Sequence, residues 1–446
     1  MRFVWRNKFL MFLLIGNIIK TIKISEDTDL SKEFLVSRRA RFAETMKDNS
    51  FYFVCSGGYV ESTDDETYIF QPYRNFVYLT GRNDVDATLL ISKINGKVNE
   101  ILFMHIPDEQ ELRWMGTRFD REEITEATGI ARIIPNESWD STVSRMLFAN
   151  NIQDVYMDMA RWDMNYAPNE AQKRANRLKE TYPYLTFHNG YHTICDMRVI
   201  KDQAEIENHR KAVKITEEGV KNILLNMKPG MTESQIEAYY DFVLKSHGCK
   251  FPAFTTIAAT GKNACIMHYV DNDTQTKDGD LILFDLGAQW NYYCADVSRT
   301  YPVNGKFTER QKQLYNIVLK GLEAAENASK PGQLKSELQQ ISKKVMAEEL
   351  VKIGKIEKEE DISKYYFHGS GHNIGLNTHD VGDHNDLLLE ENLMFTLEPG
   401  LYFDDEAIGI RIEDTLLVTK DGVEVMSAGI PKTVEEIEAF MAKGCK

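Results

Sequence analysis

A chain of 446 residues is longer than one hydrophobic core ordinarily supports, so at least two domains are expected. Its 43% apolar and 27% charged residues are those of an ordinary globular protein. A formal charge of −15 speaks against nucleic acid as the main partner, because phosphate binding calls for clustered Lys and Arg.

At the N-terminus, Arg2, Arg6 and Lys8 precede an apolar run from Phe9 to Ile19 with the outline of a signal peptide. The run is short for a bilayer, and Lys20-Thr21-Ile22-Lys23 follows it where a small-residue cleavage site would stand. Residues 1–30 therefore read as an extension outside the folded protein, with export or anchoring as the alternative. Cys55, Cys195, Cys249, Cys265, Cys294 and Cys445 are widely spread and form no C-x-x-C pair. That usage fits a reduced, cytoplasmic setting with no membrane association.

Residues 31–195 are expected to form a smaller α/β domain. A helix is predicted over 31–47, strands at Phe51–Cys55, Phe76–Leu79, Thr88–Ile91, Ile101–His105 and Val155–Met157, and a helix near 167–180. From 196 to 440 the pattern changes to an α+β series. Helices are predicted over 202–226 and 232–247, then strands at 253–259, 281–287 and 292–302. The order then restarts, with helices at 308–328 and 334–352 and strands at 392–398 and 408–418. Thr232 with Gln235, and Thr308 with Gln311, are capping-box pairs that start two of these helices. Lys228-Pro229-Gly230 and Lys330-Pro331-Gly332 stand at the same joint in the two series, which indicates an internal repeat with a cleft between its halves.

That cleft collects acids. Asp285 ends the apolar strand LILFDLG, and Asp296 follows in YYCADVSRTY, a hairpin away at the same end of the sheet. Two carboxylates so placed repel unless a proton or a cation sits between them. FTLEPG puts Glu398 at a strand end, and GIRIEDTLLV puts Arg411 and Glu413 on one strand face, with the arginine able to orient a neighbouring acid. His368, His372 and His379 fall within twelve residues of a glycine-rich loop. Four carboxylates and one imidazole suit two divalent ions, and oxygen-rich ligation favours Mn²⁺. A water bridging two such ions becomes a hydroxide nucleophile near neutral pH. No phosphate loop is evident, so the bond hydrolysed is expected to be an amide.

Asp285, Asp296, His372, Glu398 and Glu413, with their flanks FDLG, ADVSRTY, GxGH, LEPG and RIED, resemble the pita-bread metallopeptidases. The resemblance implies a pita-bread catalytic domain with a pseudo-two-fold repeat. In it Asp285 would hold one metal, Asp296 and Glu413 would bridge, and His372 and Glu398 would complete the other. Glu398 would also manage protons on the bridging water. His268, in ACIMHY, and His379, in NTHD, match the family's substrate-side histidines, which act on the developing tetrahedral species and the carbonyl. His368 would line the proline side, and Arg411 would border the substrate site. RNFVYLTG (Arg74–Gly81) and Pro107-x3-Glu111-x2-Trp114-x-Gly116-x-Arg118 resemble the N-terminal domain of the aminopeptidase P and prolidase subgroup. This implies peptide substrates with proline at the second position, and a homodimer or homotetramer. The alternatives are prolidase action on Xaa-Pro dipeptides, metal-free creatinase-like C–N hydrolysis and an inactive binding module. The intact ligand set disfavours the last two.

Overall fold

The computed structural model describes residues 30–444 apart from 117–118, 162 and 383–386. The apolar run of the N-terminal extension, Arg118 and Cys445 lie outside the described residues. The first strand, β1 (Ser50–Cys55), is buried at every position. Period-two alternation sends Tyr52 and Val54 to one face and Phe51, Phe53 and Cys55 to the other, each into a separate apolar cluster. A strand with two buried faces belongs in the middle of a sheet, and that is its place. β2 (Thr88–Ile94) and β3 (Lys97–Met104) form an antiparallel hairpin beside it. β4 (Ile133–Pro135) extends that edge, while β5 (Asp154–Met157) and β6 (Thr186–Asn189) extend the other in parallel. The order is β4-β3-β2-β1-β5-β6.

Two helices cover one face, α1 (Lys32–Thr45) and α2 (Arg74–Thr80), their apolar residues sharing a cluster with Tyr52 and Leu89. α2 corrects the strand predicted at Phe76–Leu79. Its residues from Asn75 to Thr80 are buried on every side, so no amphipathic period shows in the sequence. The backbone closes on left-handed Gly81, whose N–H bonds the carbonyl of Val77.

The chain then passes through α3 (Tyr191–Val199) into two matched series. α4 (Gln203–Asn226) and α5 (Glu233–Ser246) pack together and precede β7 (Ile257–Thr260), β8 (Leu281–Leu286) and β9 (Val297–Pro302), ordered β9-β8-β7. α6 (Glu309–Ala328) and α7 (Lys335–Lys352) pack likewise. They precede β10 (Met394–Leu397), the hairpin β11 (Gly400–Phe403) and β12 (Ile408–Arg411), then β13 (Asp414–Val418) and β14 (Val423–Val425), with β10-β13-β14 as one sheet. The repeat is geometric as well as verbal. Gly230 and Gly332 both take left-handed backbone, φ 93° and 84°. Their N–H groups bond the carbonyls of Thr276 and Leu389 at 2.9 and 2.8 Å. Two residues later Thr232 bridges Gln275, and Leu334 bridges Leu388. Both predicted capping boxes form.

Three predicted strands shorten or divide. Of 253–259 only the last part pairs, and 292–302 yields a two-residue strand, Tyr293–Cys294, before β9. The run 408–418 breaks at Ile412 and Glu413 because the second half reaches across to the first there. The N–H of Glu413 bonds the carbonyl of Ser298 at 2.9 Å, and Thr415 Oγ1 bonds that of Asp296 at 2.7 Å. Among the described residues no helix is long and apolar enough to cross a membrane.

Candidate metal centre

The two sheets meet where their strands end, and five chemically matched side chains gather there. Asp285 is the fifth residue of β8, opposite Ser298 of β9. Asp296 immediately precedes β9, returned by the small hairpin of Gln289–Trp290 with Tyr293–Cys294. Glu398 follows β10, its N–H held by the carbonyl of Ser370 at 2.9 Å. Glu413 occupies the break between β12 and β13. His372 arrives on the glycine-rich loop, where its carbonyl takes the N–H of Thr396 and Asn373 bridges Phe395.

Asp296, His372 and Glu413 are buried, with ligand atoms all within 4.8 Å of one another. His372 Nε2 lies 3.2 Å from Asp296 Oδ2, 3.8 Å from Glu398 Oε1 and 4.0 Å from Glu413 Oε1. Its Nδ1 donates to the carbonyl of Asn373 at 3.0 Å, and burial lowers its pKa, so the ring is neutral with its Nε2 lone pair facing the acids. A lone pair 3.2 Å from a carboxylate oxygen is repulsive unless a proton or a cation lies between them. Asp285 Oδ1, Asp296 Oδ1 and Glu413 Oε1 are buried with no hydrogen-bond donor. Burial first, then the charges of Asp285 and Glu398, drives the Asp296 carboxyl well above its ordinary range. Glu413 is pushed up likewise by burial and by Asp296 and Glu398. Orphaned acceptors, crowded carboxylates and an aimed imidazole are what a divalent cation site requires.

Arg411 organises the rim. It is 4% exposed, and its Nη2 donates to Asp285 Oδ2 at 2.6 Å, Nε to Ser298 Oγ at 2.8 Å and Nη1 to the Tyr402 hydroxyl at 3.2 Å. Ser298 in turn donates to Glu413 Oε2 at 2.9 Å. Tyr402 donates to His368 Nε2 at 2.8 Å, while His368 Nδ1 bonds the Gly369 carbonyl. Burial, then the nearby Arg411 charge, pushes the His368 pKa down to about 4, so this ring is also neutral. One arginine thus links Asp285, Glu413 and His368. Lysine cannot hold three partners in a planar fork. Arg411→Lys is expected to lower kcat about 10–100-fold with partial loss of bound metal, checked by steady-state rates and elemental analysis. A wild-type rate in that variant would show that charge alone suffices.

An Xaa-Pro aminopeptidase of Escherichia coli K12 is 31% identical over 444 residues, covering 94% of this chain and 100% of the relative. This chain belongs to the aminopeptidase P group of metallopeptidases. Residues 35–156 match the profile of the aminopeptidase P N-terminal domain, and 207–420 that of metallopeptidase family M24. A solved Bacillus anthracis structure, provisionally assigned as an aminopeptidase P, is 42% identical. It covers 93% of this chain and 99% of its own length with a TM-score of 0.91. Zinc-substituted E. coli aminopeptidase P in complex with product is 29% identical, covers 94% of this chain and all of its own, and has a TM-score of 0.86. The aminopeptidase P architecture expected from the sequence, an N-terminal domain followed by an α+β pita-bread domain, is therefore borne out.

The fold brings Asp285, Asp296, His372, Glu398, Arg411 and Glu413 together, with His368 joined through Tyr402. The exposed His379 ring lies 4.2 Å from that of His372. His268 is exposed on the loop after residues 261–265, and among the described residues no hydrogen bond or ion pair joins it to these groups. Sequence reasoning missed Ser298 and Tyr402. Both lie inside the quoted flanks or just past them, two residues after Asp296 and four after Glu398. Only the meeting of the two sheets shows what they hold. Arg411, expected to orient a neighbouring acid, donates to Asp285, and Ser298 links it to Glu413.

Proposed function

We propose that this chain releases the N-terminal residue from peptides whose second residue is proline, by metal-dependent hydrolysis of the Xaa-Pro bond. The observation that carries the reading is the buried Asp296–His372–Glu413 cluster with its donorless oxygens, in a chain that spans a whole Xaa-Pro aminopeptidase relative. The ions would be held by Asp285, Asp296, His372, Glu398 and Glu413. Two divalent cations suit that set, and its oxygen-rich character favours Mn²⁺. Bound there, they would supply a water acidic enough to attack an amide carbonyl at neutral pH.

The chain's own groups then divide the remaining work. Glu398 is partly buried beside His372, and burial raises its carboxyl against the opposing influence of the His372 ring and the Arg411 charge. A carboxyl so poised can take the proton of the attacking water and pass it on. His379 would hydrogen-bond the scissile carbonyl as charge develops, and His268 would meet the leaving imino nitrogen. His368, neutral and fixed by Tyr402, would line the proline side. Arg411 would border that site while holding Asp285. An Xaa-Pro bond is a tertiary amide without an N–H and with fixed φ, so it needs a dedicated seat. Residues 31–195 would form the N-terminal domain and 196–440 the catalytic one. We infer a cytoplasmic homodimer or homotetramer; the cysteine usage supports the first part and the subgroup resemblance the second.

With Mn²⁺ present, the purified chain should release free Xaa from an Xaa-Pro-Yaa tripeptide. Release from Xaa-Pro dipeptides alone would reassign it as a prolidase, and inactivity on both without bound metal would end the enzyme reading. His268→Ala should lower kcat by about 10²-fold while leaving metal content near that of the wild type. A parallel loss of metal and rate would move His268 into the ligand set.

A further inference from the structure

A continuous path of buried polar side chains runs from the N-terminal sheet to the histidine loop. Tyr52 of β1 donates to Asp158 Oδ1 at 3.1 Å, and Asn75 of α2 donates to Asp158 Oδ2 at 2.6 Å. The Asn75 side-chain oxygen Oδ1 accepts from Arg198 Nη1 at 2.6 Å, and Arg198 Nη2 meets Asp380 Oδ1 at 2.5 Å. Lys201 Nζ stands 3.5 Å from the other Asp380 oxygen. None of these residues is more than 6% exposed. Such a network can be purely structural, a set of paired buried charges joining two domains. Stability alone is a weak account, however, because apolar residues of like volume commonly serve at least as well.

Where the path ends is informative. Asp380 is the residue after His379, and its N–H bonds the Asn373 carbonyl at 2.8 Å, closing the loop that begins at His372. A Cβ on Gly375 would lie 1.9 Å from Asp380 Oδ2, so only glycine lets that carboxylate sit against the loop's own backbone. A second anchor comes from the same motif. Arg74, next to Asn75, donates from Nε to the Leu376 carbonyl at 3.0 Å. The Leu376 side chain packs into the N-terminal apolar cluster with Tyr293 and Ile194. The loop bearing both histidines is therefore pinned at its middle by Arg74 of the N-terminal domain, and at its end by Arg198, which Asn75 of that domain holds.

We propose that Asn75, Arg198 and Asp380 are positioning residues for the hydrolysis, through which the N-terminal domain holds His379 in register with His372 and the scissile carbonyl. The inference rests on the activity proposed above. It gives the Arg74–Asn75 motif a task in the reaction that its place on a buried helix does not require. Misplacing a reacting group by an ångström costs rate more than affinity.

The test is a double-mutant cycle in the full-length chain with Mn²⁺ and an Xaa-Pro-Yaa tripeptide. Asn75→Ala is expected to lower kcat about tenfold, with KM and bound metal within about twofold of wild type. In a His379→Ala background the same change should cost less than about twofold, because the group it positions is gone. An equal tenfold loss in both backgrounds, or an unchanged kcat in the single variant, would overturn the proposal. If Asn75→Ala does not fold, Arg198→Lys takes its place with the same expectations. It keeps a charge opposite Asp380 but cannot hold Asn75 at the same time. Hydrogen exchange across residues 373–380 gives a reading independent of rate. It should quicken at least about tenfold in the variant, and unchanged protection there would also overturn the idea. A wild-type chain inactive on the tripeptide would overturn the peptidase reading, and this inference with it.

Discussion

Asp296→Ala is expected to abolish release of the N-terminal residue from an Xaa-Pro-Yaa tripeptide, by at least about a thousandfold in kcat/KM. Loss of an outer contact around a metal already costs about 10–100-fold, and Asp296 stands closer in. Its Oδ2 is 3.2 Å from His372 Nε2, and its Oδ1 is buried with no donor. Three measurements separate this account from a general loss of structure. Bound metal by elemental analysis should fall with the rate. The chelated variant should be at least as stable as the chelated wild type, because the carboxyl removed is one that burial, Asp285 and Glu398 destabilise in its charged form. Its circular dichroism should match that of the parent. A variant that keeps its metal and its rate would remove Asp296 from the centre.

Metal removal is expected to lower the thermal midpoint by about 5–10 °C at pH 8 and by distinctly less at pH 6. The first figure follows from about 2.7 kcal/mol of binding stabilisation at a hundredfold excess over Kd, and about 2–4 °C per kcal/mol. The pH dependence follows from the direction of the shifts. Asp296, Glu398 and Glu413 all have folded-state pKa values above their ordinary ones, chiefly through burial. An acid raised in this way contributes its full stability below the unfolded-state value, and loses it as pH rises through the folded-state value. The metal-free chain therefore weakens as pH rises above the ordinary carboxylate range, because the unfolded chain ionises these three carboxyls while burial beside one another opposes it in the fold. A cation removes that repulsion, so its effect grows with pH. Scanning calorimetry with EDTA and with Mn²⁺ at the two pH values tests this. Equal midpoints with and without chelator at pH 8 would contradict it.

Much of this was legible in the linear chain. Asp285, Asp296, Glu398 and Glu413 all stand at or beside strand ends, because an apolar run that stops at an acid and a turn has few other readings. The capping boxes at Thr232 and Thr308 depend on contacts three residues apart, and both formed. The two Lys-Pro-Gly joints announced the duplication for the same local reason, that Pro-Gly ends a helix and Gly accepts positive φ. The strand predicted at Phe76–Leu79 failed where that logic runs out. A helix buried on all sides has no polar face, so its sequence carries no period.

Residue type, order and spacing thus determined the chemistry: four acids and an imidazole in a sequence that resembles one family of hydrolases. Tertiary structure alone decided who holds whom. Arg411 pairs with Asp285, 126 positions away in the chain, and Arg198 reaches Asp380 across 182. No local pattern encodes such pairs, because they form only when segments far apart in the chain close on one another. The candidate ligands are a property of the sequence; their orientation is a property of the fold.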